Sequence, residues 1–195
     1  MHPDPKFRQR DDAALIDFAL GIGFAHIFVG TPAGPMVVHA PLSPVGDGIG
    51  FHLSNGNRAA KYVADATILV SVTGVQGYIT PNWYERPADQ VPTWNYQAVE
   101  IDGVARRLDD AGLRAQLDSL ADAHEPRPHP WTLAKTDPAA AAAMMRAITA
   151  YRIEVKAMRG TFKLSQNKTA GDRAGVIAGL RGVGNAALAD VMEAL

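Results

Sequence analysis

The sequence contains no cysteine among its 195 residues. Disulfides, thiolate metal sites and cysteine nucleophiles are therefore excluded, and we expect a cytoplasmic protein, since a cysteine-free chain suits a reducing compartment. The chain also lacks a surplus of either charge, because 19 basic residues stand against 20 acidic ones and leave a net charge of −1. This balance gives no global case for binding nucleic acid, which normally needs a basic patch or stripe.

Long hydrophobic runs and the common catalytic motifs are missing too. No apolar run approaches the ~20 residues that span a bilayer, and the first residues contain no signal-peptide core. The sequence holds no G-x-S-x-G, no H-E-x-x-H, no Walker loop and no G-x-G-x-x-G after a strand. We therefore expect a soluble protein without contact to membranes, and no residue is identified as catalytic.

The six histidines do not form an evident metal site. His39 and His52 lie on neighbouring predicted strands, but no third ligand is apparent, and a metal site needs several ligands that converge. We predict that no metal is bound. The same two histidines are the candidates for an axial ligand if the protein binds haem.

What the chain does contain is a series of strand patterns flanked by helical ones. Apolar alternation and β-branched residues predict six strands: Phe24–Val29, Met36–Ala40, Ile49–Ser54, Thr67–Thr73, Trp94–Arg106 and Tyr151–Leu164. A helix precedes them from Asp11. We predict a mainly β fold with peripheral helices (α+β), a small barrel formed by one domain over residues 1–195, with an inserted helical pair at about 109–149 and C-terminal helices at about 171–195.

The predicted strand Trp94–Arg106 has an ambiguous phase. Trp94 and Tyr96 are apolar at even positions, whereas Val99 and Ile101 are apolar at odd ones. Alternation changes phase only at a bulge or where the environment changes. Either the strand is kinked near Ala98, or the amides at 95 and 97 share a face with Val99 and Ile101 and point toward a site.

Two segments are unlike ordinary scaffold. Residues 78–96 contain the aromatic residues Trp83, Tyr84, Trp94 and Tyr96 close to three prolines, and flat rings on stiff loops suit a planar ligand. Residues 160–180 place a dense polar cluster, Lys163 to Lys168, directly before a predicted helix start. That cluster suits an anion such as phosphate. A core or interface role for the aromatic rings, and a solvated strand end for the lysines, are the competing interpretations.

These segments resemble a known family. Y-I-T-P-N-W-Y at 78–84, V-P-T-W-N-Y-Q-A-V at 91–99, G-T-F-K-L-S-Q-N-K at 160–168 and D-R-A-G-V-I-A-G-L at 172–180 closely resemble the PaiB-type family. Its members are described as FMN-binding negative transcriptional regulators with a split β-barrel. The resemblance implies a homodimeric split barrel of the FMN-binding type, with FMN at the subunit interface.

The resemblance also implies a set of cofactor-binding residues. Carried over by position, they are His39, His52, Asn57, Arg58, Thr93, Trp94, Asn95, Lys163, Ser165, Gln166 and Asn167. Trp94 and its aromatic neighbours would cover the flavin ring, and Lys163 and Ser165 would hold the phosphate. The chain departs from the family at Asn55, where an arginine is common. We expect this to weaken FMN binding, because an amide lacks the two parallel hydrogen bonds of a guanidinium, unless Arg58 replaces it.

Three functional classes are open on the sequence alone. The first is the family's transcriptional repression, for which neither charge nor motif supports a direct DNA contact, so regulation could instead be indirect. The second is a flavin-dependent oxidoreductase of the split-barrel type. The third is a non-catalytic flavin-binding or haem-binding protein, because fold alone does not decide function.

Overall fold

The computed structural model describes residues 2–9 and 11–195, and these form five α-helices and seven β-strands. The helices are α1 (Asp12–Ile22), α2 (Asp110–His124), α3 (Pro138–Arg146), α4 (Ala170–Gly182) and α5 (Ala186–Glu193). The strands are β1 (Arg8–Gln9), β2 (Phe24–Thr31), β3 (Gly34–Val45), β4 (Gly48–Ser54), β5 (Thr67–Ile79), β6 (Thr93–Arg107) and β7 (Ile148–Lys163).

The strands form one sheet in the order β1-β7-β4-β3-β2-β5-β6, with a further pairing of β6 to β7. That pairing closes β2 to β7 into a ring of strands. The pairings between β2 and β3, β3 and β4, β2 and β5, and β4 and β7 are all antiparallel. The predicted fold class, a mainly antiparallel barrel with peripheral helices, is therefore confirmed.

The chain divides into two compact units, and strands β5, β6 and β7 contribute residues to both. The first unit comprises Met1–Asp11, Thr73–Val99 and Arg159–Leu195, and the second comprises Asp12–Val72 and Glu100–Met158. Helices α2 and α3 belong to the second unit and fall within the predicted insertion at 109–149. Helices α4 and α5 belong to the first.

In the second unit the strands bury one face. Residues of β2 alternate between exposed and buried, so that Ile27 and Val29 point inward while Phe24 and Phe28 remain 50% and 40% exposed. The inward apolar side chains of β3, β4 and β5 join them, as expected for strands with one buried face. Helix α2 is capped by Asp109, whose carboxylate accepts a hydrogen bond of 2.8 Å from the backbone N–H of Gly112.

The first unit has its own apolar core, which helices α4 and α5 form together with the ends of β5 and β7. Val176, Leu180, Leu188 and Met192 are fully buried in it. Helix α4 is capped by Thr169, whose hydroxyl accepts from the N–H of Asp172 at 3.1 Å, while the Asp172 carboxylate accepts from the N–H of Glu85 at 3.0 Å.

Helix α4 carries glycines at every fourth position, and they allow the loop before β6 to pack closely against the helix. A Cβ on Gly175 would lie 2.1 Å from the carbonyl oxygen of Trp83, and one on Gly179 would lie 2.3 Å from the Trp83 ring. A Cβ on Gly171 would meet only the carboxylate of Glu85, a flexible side chain. The glycines therefore let the aromatic loop rest directly on the helix backbone. Within the described residues no helix is long and apolar enough to cross a membrane.

Candidate functional site

The first unit contains a cavity of about 210 Å³ with two lysines in its wall, called here the lysine cavity. Its wall combines the N-terminal segment, the loop before β6, the start of β6 and the turn after β7. The lining residues are His2, Asp4, Phe7, Tyr84, Gln90, Val91, Thr93, Asn95, Lys163, Ser165, Asn167 and Lys168.

The phase of β6 decides which side chains reach the lysine cavity. Asn95, Val99, Ile101 and the other odd positions up to Ala105 are buried, apart from the half-buried Gln97, whereas Trp94 is exposed. The alternation therefore does not change phase, and of the two alternatives the structure adopts the one with the amides on the apolar face. A polar side chain is thereby carried to the inside, where Asn95 is only 1% exposed.

The amide of Asn95 is held in one orientation. Its Nδ2 donates to the Ser165 hydroxyl at 2.9 Å and to the Met192 sulfur at 3.5 Å. Its Oδ1 is buried without a hydrogen-bond partner among the described residues. Most buried polar atoms are paired, so this unpaired acceptor is an exception in the interior of the first unit.

A tight turn after β7 brings the lysines to the cavity. Ser165 has φ 59°, in the left-handed region that non-glycine residues rarely adopt, and it is only 3% exposed. The turn closes where the N–H of Lys168 donates to the Ser165 carbonyl at 3.0 Å. Backbone strain of this kind persists where the surrounding structure imposes it, often at binding sites.

The ammonium group of Lys163 donates hydrogen bonds to neutral groups only. Its Nζ donates to the Thr93 hydroxyl and, at 3.0 Å, to the Trp94 carbonyl. Burial lowers the pKa of Lys163 from its ordinary value of 10.5, and the positive charge of Lys168 lowers that pKa further. Within the described part of the chain no carboxylate pairs with it, so an incoming anion would find an uncompensated cation.

Lys168 approaches the same space from the other side. Its Nζ donates to Gln90 at 2.6 Å and lies 5.0 Å from the centre of the Tyr84 ring, a cation–π distance. Burial raises the pKa of Tyr84, and the charge of Asp172 raises it too, whereas the Ser165 hydroxyl lowers it. Two ammonium groups, hydroxyls and amides therefore converge, which is the chemistry of an anion site.

We expect the affinity for inorganic phosphate to fall as the pH rises. The loss should begin at a lower pH than it would for a lysine with the ordinary pKa. The ammonium form of Lys163 binds the anion, so affinity is present below its pKa and is lost as pH rises through it, and that pKa is lowered here. Calorimetric titration over a pH series checks this. Lys163→Arg is the control, because a guanidinium stays charged, and its affinity should persist where the wild type has lost it. A wild-type profile that coincides with the arginine profile would contradict the assignment.

The structure brings five of the eleven predicted site residues to the lysine cavity: Thr93, Asn95, Lys163, Ser165 and Asn167. Gln166 and Trp94, from the same segments, do not line it. Gln166 instead ties the chain together, since its Oε1 accepts from the N–H of Leu164 at 2.7 Å. Trp94 is 47% exposed, and its Nε1 donates to Gln76 at 3.1 Å.

The other four predicted residues belong to the second unit and do not line the lysine cavity. His39, in β3, is exposed and contacts the His26 ring edge to face at 4.9 Å. Asn57 accepts from the N–H of Ala59 at 2.9 Å, in a turn before a short 3-10 helix, and Arg58 is exposed.

His52 lies in a different environment, beneath helix α2. Burial lowers its pKa, and the nearby Gln116 amide partly offsets this, although no atom pair reaches hydrogen-bond geometry. In the part of the chain that the structure describes, three side chains here have buried polar atoms without hydrogen-bond partners: the Nδ1 of His52, the Ser43 hydroxyl, and the Nε2 and Oε1 of Gln116. No group of three or more metal-ligating side chains occurs within residues 2–9 and 11–195.

Asn55, where the family commonly has arginine, forms a link within the second unit. Its Nδ2 donates to the carbonyl of Arg146 at 2.8 Å, and its Oδ1 accepts from the Thr149 hydroxyl at 2.6 Å. The amide therefore joins the end of β4 to the start of β7. An arginine in its place would lose the contact with Thr149, since a guanidinium cannot accept a hydrogen bond.

Several cavity residues were not selected from the sequence. His2, Asp4 and Phe7 come from the N-terminal segment, which β1 fixes by pairing Arg8 with Thr161 of β7. For Tyr84, Gln90 and Lys168 the sequence indicates the segment but not the residue, because they lie within the two unusual segments 78–96 and 160–180.

Comparisons with known proteins identify relatives of the chain. A family model described as "Putative FMN-binding domain" matches residues 1–157. "Protease synthase and sporulation protein PAI 2" of Bacillus subtilis is 32% identical over 147 residues, which cover 73% of this chain and 70% of that protein. An uncharacterized protein of Aspergillus fumigatus is 29% identical over 127 residues, covering 55% of this chain and 49% of that protein. The chain thus spans about half the length of this fungal relative.

Solved structures share the fold. The FAD and heme binding protein from Mycobacterium smegmatis superposes with a TM-score of 0.64 at 18% identity, covering 86% of this chain and 78% of that one. The flavocytochrome Anf3 from Azotobacter vinelandii gives a TM-score of 0.59 at 15% identity, covering 83% and 72%. At such identities the likeness shows the fold alone.

Proposed function

The chain belongs to the family of FMN-binding domains that its residues 1–157 match, and on this premise we propose that it binds FMN as a PaiB-like protein. The observation that carries the proposal is the lysine cavity, where two cations without carboxylate partners among the described residues meet a buried amide and two hydroxyls. Lys163, Ser165, Asn167 and Lys168 lie beyond the range that the family model matches, so the cavity adds residues that this match does not cover.

The lining residues fit one end of FMN rather than the whole molecule. Pockets for drug-sized ligands have volumes of about 300–1,000 Å³. The lysine cavity, at about 210 Å³, suits the phosphate with its attached chain. Lys163 and Lys168 would hold the phosphate, since a charge-assisted hydrogen bond is the strongest contact that these side chains offer. Thr93, Ser165 and Asn167 supply further polar groups for the chain attached to the phosphate.

A bound flavin supplies electron and hydride transfer, and the protein positions and tunes it. In this chain the pairing of Lys163 with Thr93 and of Lys168 with Gln90 would orient the two cations before the ligand arrives. The positive charge beside the ligand would favour its dianionic phosphate. These residues bind and orient the cofactor, and none of them is assigned a catalytic role.

We propose that any regulatory role acts without direct contact of the C-terminal helices with DNA. Helix α5 contains no lysine or arginine. Arg181, near the end of α4, is paired with Asp190 at 2.8 Å and with Glu193 at 2.6 Å. A recognition helix presents exposed donors to bases and phosphates. Arg173, the other arginine of α4, instead donates to the Met192 carbonyl at 2.8 Å, and its Nε is buried. The repressor function implied by the family resemblance would then depend on flavin or on a protein partner.

A homodimer is the proposed assembly. The outer face of β2 leaves Phe24 and Phe28 half-exposed, and an apolar sheet face of this kind is typical of a surface that another chain covers. Sedimentation equilibrium should give twice the 20.8 kDa mass of the chain. A concentration-independent mass of one chain would contradict the dimer. The cytoplasmic location stays a prediction.

The proposed site is tested by comparing FMN with riboflavin, which lacks the phosphate. We expect FMN to bind at least tenfold more tightly, because a charge-assisted hydrogen bond contributes about 1.5–3 kcal/mol. Quenching of flavin fluorescence gives both dissociation constants under identical conditions. Equal affinities would contradict a phosphate contact at the two lysines and would leave family membership untouched.

A further inference from the structure

We propose that a groove between helices α2 and α3 binds a monocarboxylate with an aliphatic chain, such as a medium-chain fatty acid. The groove, called here the arginine groove, has a volume of about 440 Å³, within the size range of small-molecule pockets. Its lining residues are Asp110, Ala111, Arg114, Ala142, Met145 and Arg146. All of them belong to the second unit and none lines the lysine cavity, so the inference goes beyond the proposed flavin site and is tested separately.

The open floor of the arginine groove follows from the alanine run of α3, residues 139–143. Alanine is the strongest helix former and has the smallest side chain that forms helices well. The helix is also capped, since the carboxylate of Asp137 accepts from the N–H of Ala140 at 2.9 Å. Of the nine described residues of α3 only Ala141 is buried. The run therefore gives a regular helix whose methyl groups, Ala142 among them, leave the space beside α2 open.

The two guanidinium groups of the groove are available to a ligand. The Nη2 of Arg114 donates to the sulfur of Met145 at 3.8 Å, and a thioether is a weak acceptor. The side chain of Arg146 has no hydrogen bond among the described residues, although its backbone carbonyl accepts from Asn55. Within residues 2–9 and 11–195 no carboxylate forms an ion pair with either arginine. A guanidinium presents parallel donors that match a carboxylate, so a carboxylate ligand fits these two side chains.

The charge of the lining favours a single negative charge on the ligand. Asp110 is the only carboxylate in the described lining, and it leaves one excess positive charge beside the two arginines. Asp110 lies four residues before Arg114, a spacing at which ion pairs form on helices. Arg114 contacts Met145 instead, so its donors are not taken up by Asp110. A monoanion therefore balances the lining, whereas a dianion would leave excess negative charge beside Asp110.

The apolar part of the lining favours a flexible chain over a flat ring. Ala111, Ala142 and Met145 supply methyl, methylene and thioether surface, and methionine adapts its shape to what it contacts. The described lining contains no aromatic side chain on which a ring could stack. Every lining residue is exposed except Met145, which is half-buried. A ligand can therefore reach the arginines and the apolar floor from solvent without any rearrangement of the helices.

The first arm of the test compares three ligands on the wild-type chain: octanoate, 1-octanol and acetate. Titrations are followed by NMR of ¹³C-methyl-labelled methionine, of which the chain has six. We expect octanoate to bind roughly fivefold more tightly than 1-octanol, because exposed charge pairs are individually weak and two arginines act together. Acetate should bind at least tenfold more weakly than octanoate, since each buried methylene changes affinity about fourfold. Octanoate that binds no better than either of the other two ligands overturns the inference.

The same spectra report where octanoate binds. The methyl signal of Met145 should shift, because this residue lines the arginine groove. The signal of Met192 is the internal control, since Met192 is buried in the core of the first unit and contacts Asn95 at the lysine cavity. Octanoate that shifts Met192 and leaves Met145 unchanged binds elsewhere, and that result overturns the inference.

The second arm fills the groove without changing its charge. Ala142→Leu places a larger side chain on the floor and should weaken octanoate at least tenfold. Ala143→Leu is the matched control, because Ala143 is exposed on the same helix and does not line the groove. Leucine is a good helix former, so both variants should fold, and their circular dichroism checks this. Equal octanoate affinities in the two variants overturn the assignment of the site.

The third arm removes the arginines one at a time. Arg114→Gln and Arg146→Gln should each weaken octanoate about threefold and leave 1-octanol unchanged, because only the carboxylate contacts the guanidinium. Arg86→Gln is the control for net charge. The side chain of Arg86 is 82% exposed and pairs with Asp89 at 2.7 Å in the first unit. A loss of octanoate affinity in Arg86→Gln equal to that in the other two variants overturns the role of the arginine groove.

Discussion

Replacing Lys163 with alanine is expected to weaken FMN binding by about 1.5–3 kcal/mol, or roughly 10-fold to 150-fold. The Nζ of Lys163 is held by the Thr93 hydroxyl and the Trp94 carbonyl, and it has no carboxylate partner within the described chain. The contact with an anion would therefore not have to compete with an existing ion pair. Titration of FMN by fluorescence quenching measures the loss.

Lys61→Ala is the matched control for this experiment. Lys61 is an exposed lysine of the second unit, and its Nζ lies 4.9 Å from the centre of the Tyr62 ring. Its removal lowers the net charge equally but should leave FMN affinity within a factor of about two, because an isolated surface charge contributes little. Equal losses in the two variants would mean that Lys163 acts only through overall charge and would refute the phosphate assignment.

Gly175→Ala is expected to destabilise the protein by about 1–3 kcal/mol, because a Cβ at this position collides with backbone. It would lie 2.1 Å from the carbonyl oxygen of Trp83, and neither the helix nor the loop can yield by rotating a side chain. Alanine gains at most ~1 kcal/mol in helix propensity, which does not offset the collision. Since Tyr84 follows Trp83 and lines the lysine cavity, we also expect FMN affinity to fall.

Gly182→Ala, on the same helix, is the control. A Cβ there meets nothing within 4 Å, so the substitution should be neutral or stabilise by up to ~1 kcal/mol. Urea unfolding of both variants measures the free energies. If Gly175→Ala were as stable as Gly182→Ala, this result would contradict the close packing of the aromatic loop against α4.

The sequence could predict the strands but not the face that each residue occupies. In β6 the apolar residues change from even to odd positions, and two arrangements were compatible with that pattern. The structure keeps one phase and buries Asn95 at 1% exposure, at the cost of exposing Trp94. Burial of an asparagine ahead of a tryptophan depends on the Ser165 hydroxyl, which is 70 residues away along the chain.

The lysine cavity was predictable only along its two motif segments. Lys163, Ser165 and Asn167 belong to a dense polar cluster, which is a local signal. His2, Asp4 and Phe7 reach the cavity through the pairing of β1 with β7, and no periodicity in a two-residue strand indicates that pairing. The four-residue spacing of Gly171, Gly175 and Gly179 is a further signal in the sequence, because it indicates a helix face in close contact with a neighbouring segment.

The central claim is FMN binding, and the visible absorption spectrum of the purified protein tests it most directly. The spectrum is recorded before FMN is added, and again after excess FMN has been removed by gel filtration. The account predicts a retained flavin band at about one FMN per chain. A folded protein, shown by its circular dichroism, that retains no flavin would contradict the account and would leave the lysine cavity to another phosphorylated ligand.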